Sequence, residues 1–451
     1  MVPCHESVFR LCAGIAILAL SACATYAPES LATMAEAGLA APAPRIPATG
    51  GRSTIVDLGQ PLTPRTLGLV AVIANPDLKA ARAQAEVAGA QVFAAGLLPD
   101  PTFNFNYDAL LSGPDSYSGL GAQVIYDLMT LRDRRVILAG ARATRAQVRF
   151  DLAWREWQTA GQARLLAARI AGLQTAAPLL ERSRRAADDA LSRVVAAAAQ
   201  GDLKADDVES RRLAVADAAD RALQGEHDLD AARRDLDTLL GLPPTTRLAI
   251  ESDPPAPAPP APEALFARAR TARLDLRALE AGYQSQEAAV RKAVWDAFPT
   301  LQLTLSRAQD TSGNQTFGPA VNFTLPLWNR DGGGIAIARA TREQLRAEYA
   351  ARVFAIRAEI SGLTEELAVD RRRRAEIAAQ TTPLERVAAR AEAAAAAGDI
   401  SRAAAEATRQ TIIDRQVALA ALDQAIAERM VGLELAVGAP LADSVDGRPS
   451  R

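Results

Sequence analysis

The chain has 451 residues, with 51 Lys and Arg against 53 Asp and Glu, a formal charge of −2 that excludes the basic surface a nucleic-acid partner requires. Only 4% of its residues are aromatic while alanine is abundant, a composition suited to long helices packed closely side by side. Three cysteines (Cys4, Cys12, Cys23) and two histidines (His5, His227) shrink to one of each if a leader ends at residue 22, which excludes Cys–His catalysis, internal disulfides and a Cys/His zinc site. Carboxylates abound but follow helical patterns, where a solvated face accounts for them better than paired acid–base chemistry.

Residues 1–22 read as a secretory signal. Arg10 gives the leader its positive charge, and the apolar run 11–20 is shorter than the roughly 20 residues a spanning helix needs. Leu20-Ser21-Ala22-Cys23 resembles the lipobox of bacterial lipoproteins, which makes Cys23 the expected lipid-attachment site; the plain alternative is an ordinary signal peptide with a chance Cys. Ala24 stands where an Asp would resemble an inner-membrane retention signal, so the resemblance points to the outer membrane. A Pro- and Ala-rich stretch follows to about Pro64, and the segment 23–68 reads as extended and lipid-anchored.

The first repeat is expected over 69–242. A helix fits 76–98, with Asn75 as N-cap and Pro76 at its first position, and Pro99 and Pro101 stop it. Residues 102–108 alternate polar and aromatic side chains as a strand with one greasy face does. A turn at Ser112-Gly113-Pro114-Asp115 leads to a second strand over 119–128. A very long helical pattern runs 132–200, broken by Gly201-Asp202, and another runs to about Leu240. At 1.5 Å per residue the long helix extends roughly 100 Å, and the two shorter ones stacked end to end nearly match it.

The second repeat, 263–440, copies this order after a Pro-rich linker at 243–262, and a flexible tail at 441–451 closes the chain. A helix is predicted over 262–297, strands over 300–306 and 321–327 around a turn at 310–314, and helices over 334–397 and 401–437. The register of the copy is explicit. ARATRAQ at 141–147 returns as ARATREQ at 338–344, an offset of 197, and Pro101-Thr102 returns as Pro299-Thr300, an offset of 198. Gly201-Asp202-Leu203 returns as Gly398-Asp399-Ile400, and Gly241-Leu242-Pro243 as Gly438-Ala439-Pro440. A unit of this length is too long for a solenoid repeat of roughly 20–50 residues. Pro178 and Pro383 fall inside the long helical patterns, where a kink is expected.

Four half-greasy strands per chain suggest either a soluble sheet with its apolar face buried or part of a membrane barrel. In lipid a sheet must close, and four strands enclose no lumen, whereas three chains would supply twelve. The barrel reading places Phe103, Phe105, Leu301, Leu303, Val321 and Phe323 toward lipid. It places Asn104, Asn106, Gln302, Thr304, Asn322 and Thr324 toward the lumen.

The doubled order of helix, hairpin, very long helix, Gly-containing tip and shorter helix resembles the outer-membrane efflux protein (TolC-like) family, and the lipobox resembles its lipid-anchored (NodT-like) branch. Asn75-Pro76-Asp77-Leu78 and Arg273-Leu274-Asp275-Leu276 look like that family's paired helix starts. Leu325-Pro326-Leu327-Trp328 before Gly332-Gly333-Gly334 resembles its strand-to-helix exit, from which the first half departs by lacking glycines. The resemblance implies a mainly α fold with a membrane β-barrel contribution: a homotrimer with a 12-stranded β-barrel continued by a 12-helix α-barrel. It implies no enzyme activity and no cofactor, but a passive duct in the outer membrane, joined by a periplasmic adaptor to an inner-membrane pump. The tip residues Gly201, Asp202, Leu203, Gly398, Asp399 and Ile400 match the place where that family meets its adaptor, although Lys204 and Ala404 depart from the usual pattern. The same tube in a polypeptide secretion system, or a periplasmic coiled-coil adaptor, are the alternatives. Acidic rings near the tips would select cations, with Glu385 and Glu392 as the nearest candidates. Arg371-Arg372-Arg373-Arg374 reads as a solvated helix face.

Overall fold

A computed structural model describes residues 45–47, 55–115, 117–201, 204–243, 246–251 and 257–441. Contacts divide the chain between Pro42 and Ala43, and every described residue lies in the second unit, Ala43–Arg451. The leader, Cys23, Asp202, Leu203 and all of the tail beyond Leu441 lie outside the described residues.

Two three-residue strands, β1 (Arg45–Pro47) and β2 (Ile55–Asp57), pair with each other ahead of the repeats. The first repeat then runs α1 (Pro64–Ala74), α2 (Pro76–Gly96), β3 (Thr102–Asp108), β4 (Gly119–Asp127), α3 (Met129–Ala199) and α4 (Ala205–Leu239). The second runs α5 (Pro262–Ala272), α6 (Leu274–Asp296), β5 (Leu301–Gln309), β6 (Gln315–Phe323), α7 (Gly332–Ala397) and α8 (Arg402–Val437). Element for element the halves correspond, with α3 reaching 71 residues and α7 reaching 66.

Local chemistry sets the boundaries. Thr63 Oγ1 accepts from Thr66 N at 3.2 Å and Pro64 opens α1; Asn75 Oδ1 accepts from Leu78 N at 2.9 Å and Pro76 opens α2. The single helix expected over 262–297 is two helices. Arg273 breaks it with an extended backbone (φ −67, ψ 121), and the Asp275 carboxylate accepts from Leu276 N at 3.0 Å. Pro178 and Pro383 sit inside helices that continue on both sides.

Each half builds its own core where its short first helix meets the long helix and the end of the last one. In the first half Leu67, Val70 and Ala71 of α1 pack with Leu166, Ile170, Leu236 and Leu240. In the second, Leu265 and Ala269 of α5 pack with Ile356, Ile360, Leu433 and Val437. Leu62 pairs in parallel with Ile250 beside the first core, its N–H donating to Ala249 O at 2.8 Å.

The halves join along α3 and α8, which run antiparallel. A Cβ on Gly161 would fall 2.2 Å from the Leu435 side chain, and one on Gly172 would fall 2.5 Å from that of Gln424, so a larger residue at either glycine would force the facing side chain to shift. Arg164–Glu434 (2.5 Å), Arg169–Glu428 (3.6 Å) and Arg193–Glu406 (2.5 Å) bridge the same seam. Among the described residues no helix is long and apolar enough to cross a membrane.

Candidate functional site

The four strands of the two repeats form one antiparallel sheet in the order β3-β4-β5-β6, so the halves meet at β4–β5 and the outer strands β3 and β6 are its edges. Residues paired across antiparallel strands share a face. Phe103 pairs with Val124 and Val124 with Leu305; Tyr126 pairs with Leu303 and Leu303 with Val321; Leu301 pairs with Phe323. One face therefore gathers Phe103, Phe105, Leu301, Leu303, Val321 and Phe323 together with Val124, Tyr126, Leu305 and Phe317. These side chains are largely uncovered: Phe103 is 65% exposed, Phe317 73% and Phe323 59%. Arg307 is the one charged residue on that face, close to the hairpin turn.

The other face carries Asn104, Asn106, Gln302, Thr304 and Asn322, where Asn322 Nδ2 donates to Thr304 Oγ1 at 3.2 Å. Thr324 lies just past the end of β6, its hydroxyl 2.7 Å from that of Thr300. The last strand begins earlier than its alternation suggested, at Gln315 rather than near Val321, and ends at Phe323 rather than reaching Leu327. Gly318 and Pro319 have turn-forming character, yet Pro319 pairs with Leu305 inside β6, a strand at the margin of the chain's own sheet. Pro326 then prevents the strand from continuing.

At the turn ends the two hairpins are tied together. Asp115 accepts from Thr311 Oγ1 at 2.5 Å and from Ser312 Oγ at 3.2 Å. Asp310 accepts from Asn314 Nδ2 at 2.9 Å and from two backbone N–H groups of its turn, and these bonds, led by the Asn314 side chain, hold its carboxyl below the ordinary range. At the helix end, the first exit is capped by Asp127, which accepts from Met129 N at 2.8 Å. The second passes Trp328, 92% exposed, and then Arg330 and Asp331, both with φ in the left-handed region (44 and 50).

The far ends of the long helices carry the tips. Gly201 and Gly398 each have φ +85, with open space around a would-be Cβ, so the backbone conformation and not crowding demands glycine. Gly398 N donates to Ala395 O at 3.3 Å and Asp399 N to Ala394 O at 2.9 Å, the paired bonds of a Schellman turn. Ser401 Oγ then accepts from Ala404 N at 3.3 Å to start α8. In the first tip Asp207 Oδ2 accepts from Lys204 N at 3.1 Å, so the acidic residue and not Lys204 does the capping. Ile400 is partly exposed beside Asp399.

Back from the tips, Glu385 and Glu392 line a shallow cavity of about 230 Å³ that also includes Arg182 and Arg409. Gln416 Nε2 donates to Glu385 Oε1 at 3.4 Å. The two glutamates thus belong to a mixed-charge groove among α3, α7 and α8. In the arginine run, Arg371 donates to Pro257 O at 2.9 Å and Arg374 pairs with Asp423, so two of the four side chains anchor the linker and α8. His227 lies on the surface of α4 beside Asp228. Two carboxyls in the helical body stand out. Burial pushes Asp237, 2% exposed, up to about 6, and Glu181 is drawn down to about 2 by its hydrogen bonds from Arg184 and Arg185.

No family model matches the chain, and no curated protein matches it. Solved structures do. The CmeC outer membrane channel of Campylobacter jejuni superposes with a TM-score of 0.69 at 15% identity, covering 94% of this chain and 95% of its own. The outer membrane protein VceC of Vibrio cholerae gives 0.68 at 16% identity, covering 84% and 96%. The outer-membrane channel OprN gives 0.67 at 18% identity, covering 84% and 90%. At these identities the likeness is one of fold, and the chain has the fold of these outer-membrane channels.

Proposed function

We propose that this chain is the outer-membrane channel of a tripartite efflux system, a passive, non-enzymatic duct for small molecules. The observation that carries the reading is the sheet: one face is apolar and uncovered, the other is mostly polar, and among the described residues neither edge strand has a further partner. A soluble sheet would bury that apolar face under helices. In lipid an open sheet is forbidden because its edge groups find no water. Three chains of four strands close the edges, β6 of one against β3 of the next, around a polar lumen. Strands β5 and β6 have nine residues each, enough to cross a bilayer on a tilt. A coiled-coil adaptor has no use for such a sheet.

The long helices then continue the barrel as a tunnel into the periplasm. The ends of the long helices at Gly201 and at Gly398 to Ile400 form its far mouth, where a periplasmic adaptor docks and links it to an energised inner-membrane pump. Cys23 anchors the mature chain to the outer membrane by lipid. The test is direct. Full-length protein should fractionate with the outer membrane as a trimer and conduct ions in planar bilayers. Recovery as a soluble monomer, or trimers that do not conduct, would refute the reading.

A further inference from the structure

An open cavity of about 480 Å³ lies where the sheet meets the helices, lined by Met129, Arg132, Trp295, Phe298, Leu301 and Phe323. Leu301 and Phe323 pair with each other at the helix-side end of β5 and β6, on the apolar face. Met129 and Arg132 belong to the first turn of α3, and Trp295 to the last turn of α6. The hollow is thus continuous with the sheet's apolar face and sits at its margin. Its volume falls within the roughly 300–1,000 Å³ of small-molecule sites.

The lining is apolar except for one guanidinium. Arg132 lies with Cζ 5.7 Å from the Trp295 ring centre, and its Nε donates to Asp133 Oδ1 at 2.7 Å. Asp133 is itself buried, so the pair fixes where the guanidinium stands. Its remaining N–H groups make no hydrogen bond among the described residues. A Trp ring and an Arg at the edge of a lipid-facing surface sit at headgroup depth. A greasy hollow asks for hydrocarbon, and a guanidinium held at its rim by its ion pair with Asp133, with its other N–H groups turned free, asks for an anionic acceptor joined to that hydrocarbon.

We propose that this cavity holds a glycerophospholipid of the adjoining leaflet, with its phosphate against Arg132 and an acyl chain among Phe298, Leu301 and Phe323. The inference rests on the membrane placement of the sheet proposed above, and its test separates the two. Full-length trimers are extracted from outer membranes in mild detergent and examined by native mass spectrometry and organic-phosphate assay. Phospholipid should stay with the protein, and Arg132→Glu should reduce it by roughly tenfold, the effect of losing one charge-assisted hydrogen bond, while trimers persist. Trimers reconstituted into vesicles of acyl-brominated phosphatidylethanolamine should show quenching of tryptophan emission, and Trp295→Phe should remove a component of it. That comparison stands even if Arg132→Glu does not assemble. Membrane trimers free of phospholipid, retention undiminished in Arg132→Glu, or quenching unchanged by Trp295→Phe would each overturn the proposal and leave the channel reading intact. Loss of the retained lipid in Cys23→Ser would also overturn it, because the occupant would be the chain's own anchor. Wild-type protein absent from the outer membrane would overturn both.

Discussion

Asn75 and Arg273 hold equivalent places in the two repeats and donate to equivalent carbonyls. Asn75 Nδ2 reaches Leu239 O and Arg273 Nη1 reaches Ala436 O, both at 2.8 Å. Each ties the break between two short helices to the C-terminus of its repeat's last helix. Asn75 also caps α2 with its own oxygen, whereas Arg273 has no acceptor and needs Asp275 to cap α6 in its stead. Arg273 grips Asp275 through two bonds of 2.9 and 2.7 Å and lies over the Trp154 ring.

The same task is therefore held by a neutral cap in one half and by a buried ion pair in the other. Arg273→Ala leaves the buried Asp275 carboxylate with only the Leu276 N–H and Arg352 at 4.0 Å, and should cost about 3–5 kcal/mol, against about 1–2 kcal/mol for Asn75→Ala. Thermal unfolding of the detergent-solubilised protein measures both. Equal losses would mean that the pair adds no more than a cap.

Asp237 supplies a pH dependence with a definite sign. Burial raises its folded pKa to about 6 from an ordinary 3.8, so the folded state holds a proton that the unfolded chain releases. Stability contributed by this group is greatest below about pH 4 and falls as pH rises through about 6. Asp237→Asn should therefore raise the melting point at pH 7.5, by an amount worth on the order of 1–2 kcal/mol, and the gain should fade toward pH 4. A gain that is constant across that range would assign the effect to packing.

Val321 and Asn322 are neighbours in β6 on opposite faces of the sheet. Val321→Arg should cost roughly 2–4 kcal/mol if it meets hydrocarbon, and Asn322→Arg should be tolerated in a wet lumen. Trimer yield in outer membranes is the readout. Equal yields would sink the barrel.

Gly201→Val combined with Gly398→Val forces two β-branched residues to φ +85, a strain of about 1–3 kcal/mol each. The helices behind each tip are long enough to hold the fold. Trimer abundance should stay normal while export of the pump's cargo drops. Undiminished export would show that these turns are connections and nothing more.

Cys23 lies outside the described residues, and its test is chemical. Mass spectrometry of the mature protein should find an acylated Cys23 at the N-terminus, and Cys23→Ser should remove the lipid without abolishing membrane trimers. A free thiol after cleavage elsewhere, or an intact leader, would rule the lipid anchor out.

Much of the architecture was legible because the repeat states it twice. Strand β3 and the turn at 310–314 stand where alternation and turn residues put them. The helix at Pro64–Ala74 is not marked in the sequence, although Leu67, Val70 and Ala71 carry helical spacing, because it is one short stretch beside a Pro-rich segment. Helical spacing runs unbroken through Arg273, and only the resemblance of Arg273-Leu274-Asp275-Leu276 to a helix start marked the break, because what holds it open is a carbonyl far along the chain. Pairing partners decided β6, where Gly318 and Pro319 mimic a turn. The groove that collects Glu385 and Glu392 with Arg182 and Arg409 depends on helix register, which one-dimensional spacing does not carry.

The pairing of β4 with β5 has an evolutionary consequence. In a ring closed by three chains, joints inside a chain alternate with joints between chains, so six similar units need not be identical. A gene encoding a single repeat would have to alter every joint at once. Here one half can drift while the other is held, as Asn75 and Arg273 already have. Covalent doubling thus frees alternate positions around such a ring to differ.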